Sequence, residues 1–289
     1  MRVVGYYNSF ARPDSLKKLF LTPVTHINYA FLLPKEDGTL YFYDEDNVRD
    51  VVAFAHEKGK KVYVSVGGFC DQNKILSSVF EKICSDTNKL ATFFKSIFKV
   101  VIEYGFDGVD IDWEYPTEKF VCHYELLIEV LSIILHAINK GLTIAVHRAI
   151  EDEQKLCRIV AITDLVISYV DWINIMTYDA TEDDNHSSLY RCIKCVDYWH
   201  NKRKVPRNKI LVGTAFYGKP SEKPYYELIS ENRKNYFKNH YQGDTYNGCY
   251  LVKEKAYFAR LNCGGLIIWA INYDTFDETS LLKVINEAL

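Results

Sequence analysis

A regular alternation of short strand-like runs and longer helix-like segments constrains the fold of this chain more than any other feature. Eight runs rich in β-branched or aromatic residues and bounded by turn residues predict strands. Strand and helix alternating in this way is typical of a parallel α/β fold. The predicted strands cover residues 3–7, 26–32, 61–66, 108–113, 142–147, 172–178, 210–217 and 266–271.

Helical periodicity fills most of the gaps between these strands. The clearest helix runs from Leu90 to Val101, where apolar residues recur at i, i+3, i+4 and i+7. Ser85 or Asp86 is predicted to cap its start, and Gly105 is predicted to end it. Further helices are predicted from residue 48 to residue 59, from about 122 to 140, over 189–199, and from about 278 to the end.

Eight βα units in 289 residues predict a (β/α)8 TIM barrel that forms a single α/β domain over residues 1–289. A doubly wound open sheet is the alternative, but the sequence has no GxGxxG motif to support it. The longest connection joins strands seven and eight, and residues 219–250 are predicted to form a small insertion there.

Composition excludes several classes of function. With 35 Lys and Arg against 38 Asp and Glu, the net charge of -3 leaves no basic face for nucleic acid. The longest apolar stretch is too short to span a bilayer, and the first residues lack a signal-peptide pattern. Cys192 and Cys195 form a CxxC that we interpret as structural thiols, and the sequon at Asn185 is weak evidence for secretion.

The most informative segment, residues 106–116, reads FDGVDIDWEYP. In an extended strand, Asp110, Asp112 and Glu114 share one face at a spacing of about 6–7 Å, while the apolar residues between them face the other way. The carboxylates would then line the inside of a barrel. Glu114 would lie at the C-terminal end of the strand, where such barrels carry their catalytic residues.

A row of carboxylates is electrostatically unfavourable unless it holds protons, a metal ion or hydrogen-bond donors. A shared proton would make the row titrate as a unit and keep Glu114 protonated near neutral pH, as a general acid requires. Two alternatives are a solvated edge strand with alternating charges and a hard-metal site built on the DxDxE spacing. No second ligand cluster supports the metal site, so neither a metal nor a cofactor is expected.

The run DGVDIDWEYP resembles the DxxDxDxE signature of glycoside hydrolase family 18, the chitinases and their relatives. Further family motifs follow in family order, so the resemblance covers nearly the entire chain. The motif positions are Asp107, Asp110, Asp112 and Glu114 in the signature, Ser65 to Gly68 in an SxGG motif, Met176 to Asp179 in an MxYD-like segment, Tyr6 on strand one, and Trp269 on strand eight.

The resemblance implies a retaining glycosidase that cuts β-1,4-linked N-acetylglucosamine polymers, with the substrate's own 2-acetamido group as nucleophile. Glu114 would protonate the leaving oxygen and then activate water. Asp112 would hold and polarise the acetamide group, which leads to an oxazolinium-type intermediate. Asp110 would share a proton with Asp112 and accept hydrogen bonds from Tyr6 and Ser65.

The other residues implied by the resemblance would bind the sugar. Tyr178 would donate its hydroxyl to the acetamide carbonyl, Asp179 would bind the distorted sugar, and Trp269 would form the floor beneath it. Taken alone, the glycines of the SxGG motif would also suit a tight strand end, and the aromatic residues would suit ordinary core packing. The remaining substrate-binding candidates are Met176, Tyr6, Ser65, Gly68, Phe69 and Tyr217, whereas Asp107, His147 and Arg148 are expected to be structural.

Departures from the family pattern bear on specificity. Lys219 replaces an arginine that many members carry, and Phe69 replaces a tryptophan. The insertion after strand seven is shorter than the corresponding family module. A shallower groove would follow, which favours cutting within chains.

The expected partner is therefore chitin or a chitooligosaccharide, acted on by a monomer, and the resemblance favours an extracellular location. Alternative functions are an endo-β-N-acetylglucosaminidase acting on N-glycans and a non-catalytic, lectin-like chitin-binding protein. Because Glu114 and Asp112 are both intact, the lectin-like alternative is disfavoured.

Overall fold

The computed structural model describes residues 1–148 and 154–289. Within them, all eight predicted strands are present, although several end two residues earlier or later than predicted. They are β1 (Arg2–Asn8), β2 (His26–Pro34), β3 (Lys61–Gly68), β4 (Gly108–Trp113), β5 (Gly141–His147), β6 (Trp172–Met176), β7 (Ile210–Ala215) and β8 (Gly265–Trp269).

The α-helices of the described residues lie between these strands or after the last of them, as the periodicity predicted. The sheet strands are parallel in the order β1-β8-β7-β6-β5-β4-β3-β2, and β1 also pairs with β2. The fold is a (β/α)8 barrel, which confirms the predicted fold class. The helices are α1 (Glu45–Glu57), α2 (Ser77–Cys84), α3 (Thr87–Tyr104), α4 (Val121–His136), α5 (Asp164–Tyr169), α6 (Leu189–Val196), α7 (Tyr225–Glu231), α8 (Cys249–Asn262) and α9 (Leu281–Ala288).

The predicted ends of α3 are confirmed. The Asp86 side chain accepts hydrogen bonds from two backbone N–H groups of the first turn, and Gly105 ends the helix with a left-handed φ of 74°. The prediction for α4 was wrong at its C-terminus, because the helix ends at His136 and residues 137–140 form a turn before β5. The last helix likewise starts later than predicted, because Ser280 is its N-cap.

The chain forms two compact units, which are described in turn. The first comprises residues 1–27 and 174–289, and the second comprises residues 28–173. In the second unit, β4 lies between β3 and β5 in parallel register, with Asp110 beside Ser65 on one side and Thr143 on the other. The apolar face of β4 packs on α2, where Trp113 stacks on Phe80 at 5.0 Å between ring centroids. The predicted alternation along β4 is therefore confirmed.

In the first unit, β8 lies between β1 and β7, and this pairing sets Tyr6 beside Trp269. Residues 219–250, predicted as an insertion, contain α7 and a two-stranded hairpin, His240–Tyr241 with Asp244–Thr245. Among the described residues, no helix has the length and apolarity to cross a membrane.

The sequon proves to be a poor indicator of secretion. Asn185 is only 8% exposed, and its Nδ2 donates a hydrogen bond of 2.8 Å to the carbonyl oxygen of Tyr246. The CxxC residues Cys192 and Cys195 are buried on α6, and neither forms a disulfide within the described part of the chain.

Candidate active site

Asp110 occupies the middle of β4 and is completely buried. Ser65 Oγ donates to its Oδ2 at 2.9 Å, and Thr143 Oγ1 donates to its Oδ1 at 2.7 Å. The structure therefore shows the predicted contact with Ser65. The sequence analysis missed Thr143. A usable signal was strand register, because pairing the first glycines of β4 and β5 sets Thr143 beside Asp110.

Asp112 lies one inward position further along β4 and is 4% exposed. Within residues 1–148 and 154–289, nothing hydrogen-bonds to its buried Oδ1. Burial raises the pKa of Asp112 well above its usual value, and the negative charges of Glu114 and Asp110 raise it further. The carboxyl group of Asp112 therefore tends to keep a proton.

The glycines of the SxGG motif allow β3 to approach β4 closely. Gly67 has a φ of 120°, and a Cβ atom there would lie 2.3 Å from the carbonyl oxygen of Asp112. Gly68 has a φ of 93°, and its Cβ would lie 2.9 Å from the ring of Phe31. Both positions thus require glycine for structural reasons. Phe69, which follows them, is 57% exposed.

Glu114 follows β4 directly and is half-buried. Tyr115 donates a hydrogen bond to the Glu114 carboxylate, and burial together with the negative charge of Glu114 raises the pKa of Tyr115. The ring of His147 meets Tyr115 edge-on at 5.0 Å, and Arg148 donates to Nε2 of His147 at 2.8 Å. Tyr115 was missed by the sequence analysis, although its place next to the expected acid was a usable signal.

Asp107, the first position of the signature, has a structural environment. Its Oδ2 accepts a hydrogen bond of 2.8 Å from the backbone N–H of Val62 and lies 2.8 Å from Nε2 of His56 on α1. It ties β3 and α1 to the start of β4. This arrangement agrees with the structural role expected for Asp107.

Two further candidates, Asp179 and Tyr217, lie in the first unit just beyond the ends of β6 and β7. Tyr217 donates a hydrogen bond of 2.6 Å from its hydroxyl to Oδ1 of Asp179, and Lys219 Nζ lies 3.7 Å from the same oxygen. Burial acts to raise the pKa of Asp179, but the adjacent His186 ring, the hydrogen bond from Tyr217 and the charge of Lys219 lower it below its usual value. Asp179 is thus an exposed carboxylate held in its charged form.

The aromatic candidates of the first unit pack in pairs. Tyr178 is buried, and its ring centroid lies 6.3 Å from that of Tyr217. Trp269 is half-buried and packs at 5.7 Å against Tyr6, while Met176 is half-buried at the end of β6. Among the described residues, no group of three or more His, Cys, Asp or Glu side chains is arranged to hold a metal ion.

The model of glycosyl hydrolases family 18 matches residues 2–274 of the chain. The chain belongs to this family. Its relatives include Nod factor hydrolase protein 1 of Medicago truncatula, which is 26% identical over 96% of this chain and 87% of that protein. The endochitinase of Manduca sexta is 26% identical over 75% of this chain and 45% of that protein.

Solved structures of family 18 chitinases share the fold. The GH18 chitinase ChiB from the chitin utilization locus of Flavobacterium johnsoniae has a TM-score of 0.87 and 27% identity, covering 99% of this chain and 93% of that one. The family assignment predicted from the DxxDxDxE signature is therefore confirmed. Chitinases recur among both the sequence relatives and the solved structures.

Proposed function

We propose that this family 18 protein is a retaining glycosidase that hydrolyses β-1,4 links between N-acetylglucosamine units of chitin and chitooligosaccharides by substrate-assisted catalysis. The row on β4 carries the proposal. Asp110 is held by two donors, Asp112 has a raised pKa and a buried oxygen that accepts from no described residue, and Glu114 is half-buried at the strand's end.

Glu114 serves first as general acid and then as general base. Protonated Glu114 gives its proton to the glycosidic oxygen as the bond to the anomeric carbon breaks, and the resulting carboxylate later deprotonates the attacking water. The Tyr115 hydroxyl, which donates to this carboxylate, restricts its orientation. Holding the acid in one orientation keeps its proton directed at the leaving oxygen.

Asp112 acts on the acetamido group of the substrate. Its carboxylate accepts the acetamide N–H, which aligns the carbonyl oxygen for attack on the anomeric carbon. Ring closure places positive charge on the oxazolinium-type intermediate, and the carboxylate of Asp112 stabilises that charge. Two successive displacements at the anomeric carbon then give retention of configuration without a carboxylate nucleophile.

The candidate residues of the first unit are proposed to bind the sugar. Asp179 offers an exposed carboxylate oriented by the Tyr217 hydroxyl, Tyr178 supplies a second hydroxyl, and Trp269 supplies an apolar ring for a pyranose face. The other proposed contacts, each a prediction from the family motifs, are Met176, Tyr6, Ser65, Gly68 and Phe69.

We further propose that cleavage occurs within chains. The endochitinase of Manduca sexta is a relative named for that activity, and Lys219 here binds Asp179 and Glu222 through its ammonium group. A lysine presents a single point charge where the family's arginine presents a planar fork, so fewer sugar contacts are fixed at this position.

The substrate class is tested by hydrolysis of a fluorogenic chitooligosaccharide beside release of glycan from a high-mannose glycoprotein. We expect cleavage of the first substrate only, with the β-anomer as the first product seen by NMR. Cleavage restricted to the glycoprotein would favour the endo-β-N-acetylglucosaminidase instead. A wild-type protein that binds chitin but cleaves neither substrate would establish the lectin-like alternative.

The role of the acetamido group is tested with the matching fully deacetylated oligosaccharide, which lacks the acetamide carbonyl that must attack. We expect no measurable turnover of this substrate. Turnover at a comparable rate would contradict substrate assistance.

A further inference from the structure

His186 lies against both members of the carboxylate–tyrosine pair formed by Asp179 and Tyr217. Its side chain is about 5% exposed. Its Nδ1 is 3.3 Å from the backbone N–H donor of Asp179, its Nε2 is 3.2 Å from the carbonyl oxygen of Tyr217, and its ring centroid is 5.1 Å from that of Tyr217. Nothing in the family motifs of the sequence marks this histidine.

The two ring nitrogens of His186 contact the backbone of both residues. The backbone N–H of Asp179 donates to Nδ1, which also lies 3.5 Å from Oδ1 of the Asp179 carboxylate. Nε2 lies within hydrogen-bond distance of the carbonyl oxygen of Tyr217. His186 therefore connects the backbone of two site residues.

The backbone of Asp179 needs such support. Its φ of 58° lies in the left-handed region, which is unfavourable for residues other than glycine. This conformation directs the Asp179 carboxylate to the Tyr217 hydroxyl, 2.6 Å away. A hydrogen bond from the Asp179 N–H to His186 stabilises the strained conformation locally.

His186 is itself fixed in place from both sides along the chain. Asn185 is tied to the carbonyl oxygen of Tyr246 at 2.8 Å, and Ser187 Oγ accepts a hydrogen bond of 2.7 Å from the buried Lys255 ammonium group. The backbone of His186 donates to Thr245 Oγ1 at 3.2 Å. The ring is thus presented by a segment that is anchored independently of Asp179.

We propose that His186 is a positioning residue that holds Asp179 and Tyr217 in the geometry that binds the sugar, a role that rests on the proposed function. It acts through Asp179 and Tyr217 and has no place in proton transfer. Its Nδ1 maintains the backbone of Asp179, and its Nε2 maintains the backbone of Tyr217.

The test compares His186→Leu with His186→Asn. Asparagine keeps an acceptor near the position of Nδ1, whereas leucine approximates the buried volume but removes both hydrogen bonds. We expect His186→Leu to lower kcat/KM for a chitooligosaccharide about tenfold, mainly through KM, and His186→Asn to retain at least about a third of it. His240→Leu, at an exposed histidine of the same unit, is the matched control.

If the His186 ring only filled space, the smaller asparagine would lower kcat/KM more than leucine does. This result would overturn the proposal.

A double-mutant cycle adds a second criterion. If His186 acts through the pair, Tyr217→Phe should lower kcat/KM by a smaller factor in the His186→Leu background than in the wild type. Additive losses would contradict the positioning role.

Amide hydrogen exchange at Asp179 separates this inference from the proposed function, because it needs no substrate. We expect exchange to be at least about tenfold faster in His186→Leu than in wild type or His186→Asn. Unchanged exchange overturns the positioning role even if activity falls. If exchange at Asp179 is faster in His186→Leu but the wild type cleaves no chitooligosaccharide, the proposed function is refuted and the positioning role of His186 stands.

Discussion

The hydroxyl of Ser65 donates a hydrogen bond of 2.9 Å to Oδ2 of Asp110, and neither side chain is exposed to solvent. Thr143 donates to the other carboxylate oxygen, and two donors favour the ionised form of a carboxyl group. The charge thus held on Asp110 contributes to the raised pKa of Asp112. The row therefore retains a proton, which is favoured on Asp112 in the free protein and which Glu114 must receive before it can act as the general acid.

Removing either donor should destabilise the protein. We expect Ser65→Ala and Thr143→Val each to lower the free energy of unfolding by about 1–3 kcal/mol, because a buried carboxylate oxygen loses its donor. Both variants should also lose activity, since Asp110 no longer carries a fixed charge. Denaturant unfolding of the variants checks this. Ser78→Ala, at an exposed serine on α2, is the control. Wild-type stability in both variants would contradict the account of Asp110.

Asp112→Asn should lower activity yet stabilise the protein relative to the wild type as pH rises. An unfolded aspartate ionises near pH 3.9, whereas folded Asp112 keeps its proton to higher pH. Between these pH values the folded state binds more protons, so wild-type stability falls with rising pH.

The difference in free energy of unfolding between Asp112→Asn and wild type should therefore increase from pH 4 to pH 8 by at least about 1.4 kcal/mol, one pKa unit. Asp50→Asn, at an exposed position on α1, controls for the loss of a charge. A difference that does not change with pH would show that Asp112 ionises normally.

Lys255 on α8 should give stability the opposite dependence on pH. It is completely buried and donates to Ser187 and Asn247, and burial lowers the pKa of its ammonium group to about 8. Between pH 8 and about 10.4 the unfolded state binds more protons, so stability rises with pH. Below pH 8 the full penalty of the buried charge is present.

Lys255→Met removes this dependence. Relative to the variant, the free energy of unfolding of the wild type should increase by up to about 3 kcal/mol between pH 7 and pH 10. Lys253→Met, at a partly exposed lysine on the same helix, should show no such gain. A constant difference between Lys255→Met and wild type over this range would contradict the lowered pKa.

Asn185 should remain unglycosylated in folded protein despite its sequon. Its Nδ2 is engaged with Tyr246, and the side chain is almost completely buried, so a glycan on Nδ2 would break the contact and expose the segment. Peptide mass spectrometry of protein secreted by a glycosylating host tests this. A glycan on Asn185 of stable, active protein would show that the segment opens.

Local patterns predicted much of the fold and part of the site. The period of two along β4 separated Asp110 and Asp112 from Trp113, and the Asp86 and Gly105 signals defined the ends of α3. Short-range backbone chemistry decides such features, so they are visible in the sequence. The early end of α4 at His136 escaped prediction because helical periodicity continues into the following turn.

Contacts between distant segments were not predictable in the same way. Thr143 reaches Asp110 through strand register, and His186 reaches Asp179 through a loop anchored by Lys255. Neither register nor loop path is encoded by local periodicity. Tyr115 was overlooked because its hydroxyl reaches Glu114 only through the backbone path that follows β4.

The most direct test of the central claim is turnover of a chitooligosaccharide by Glu114→Gln, with binding measured in parallel. Glutamine keeps the shape of the side chain but has no acidic proton to give. We expect kcat to fall by about 10²–10⁴-fold, the typical contribution of general acid–base catalysis, while the Kd for the oligosaccharide changes less than about threefold. Glu118→Gln, at an exposed glutamate nearby, should behave as wild type. Wild-type turnover in Glu114→Gln would contradict the assignment of Glu114 as the catalytic acid.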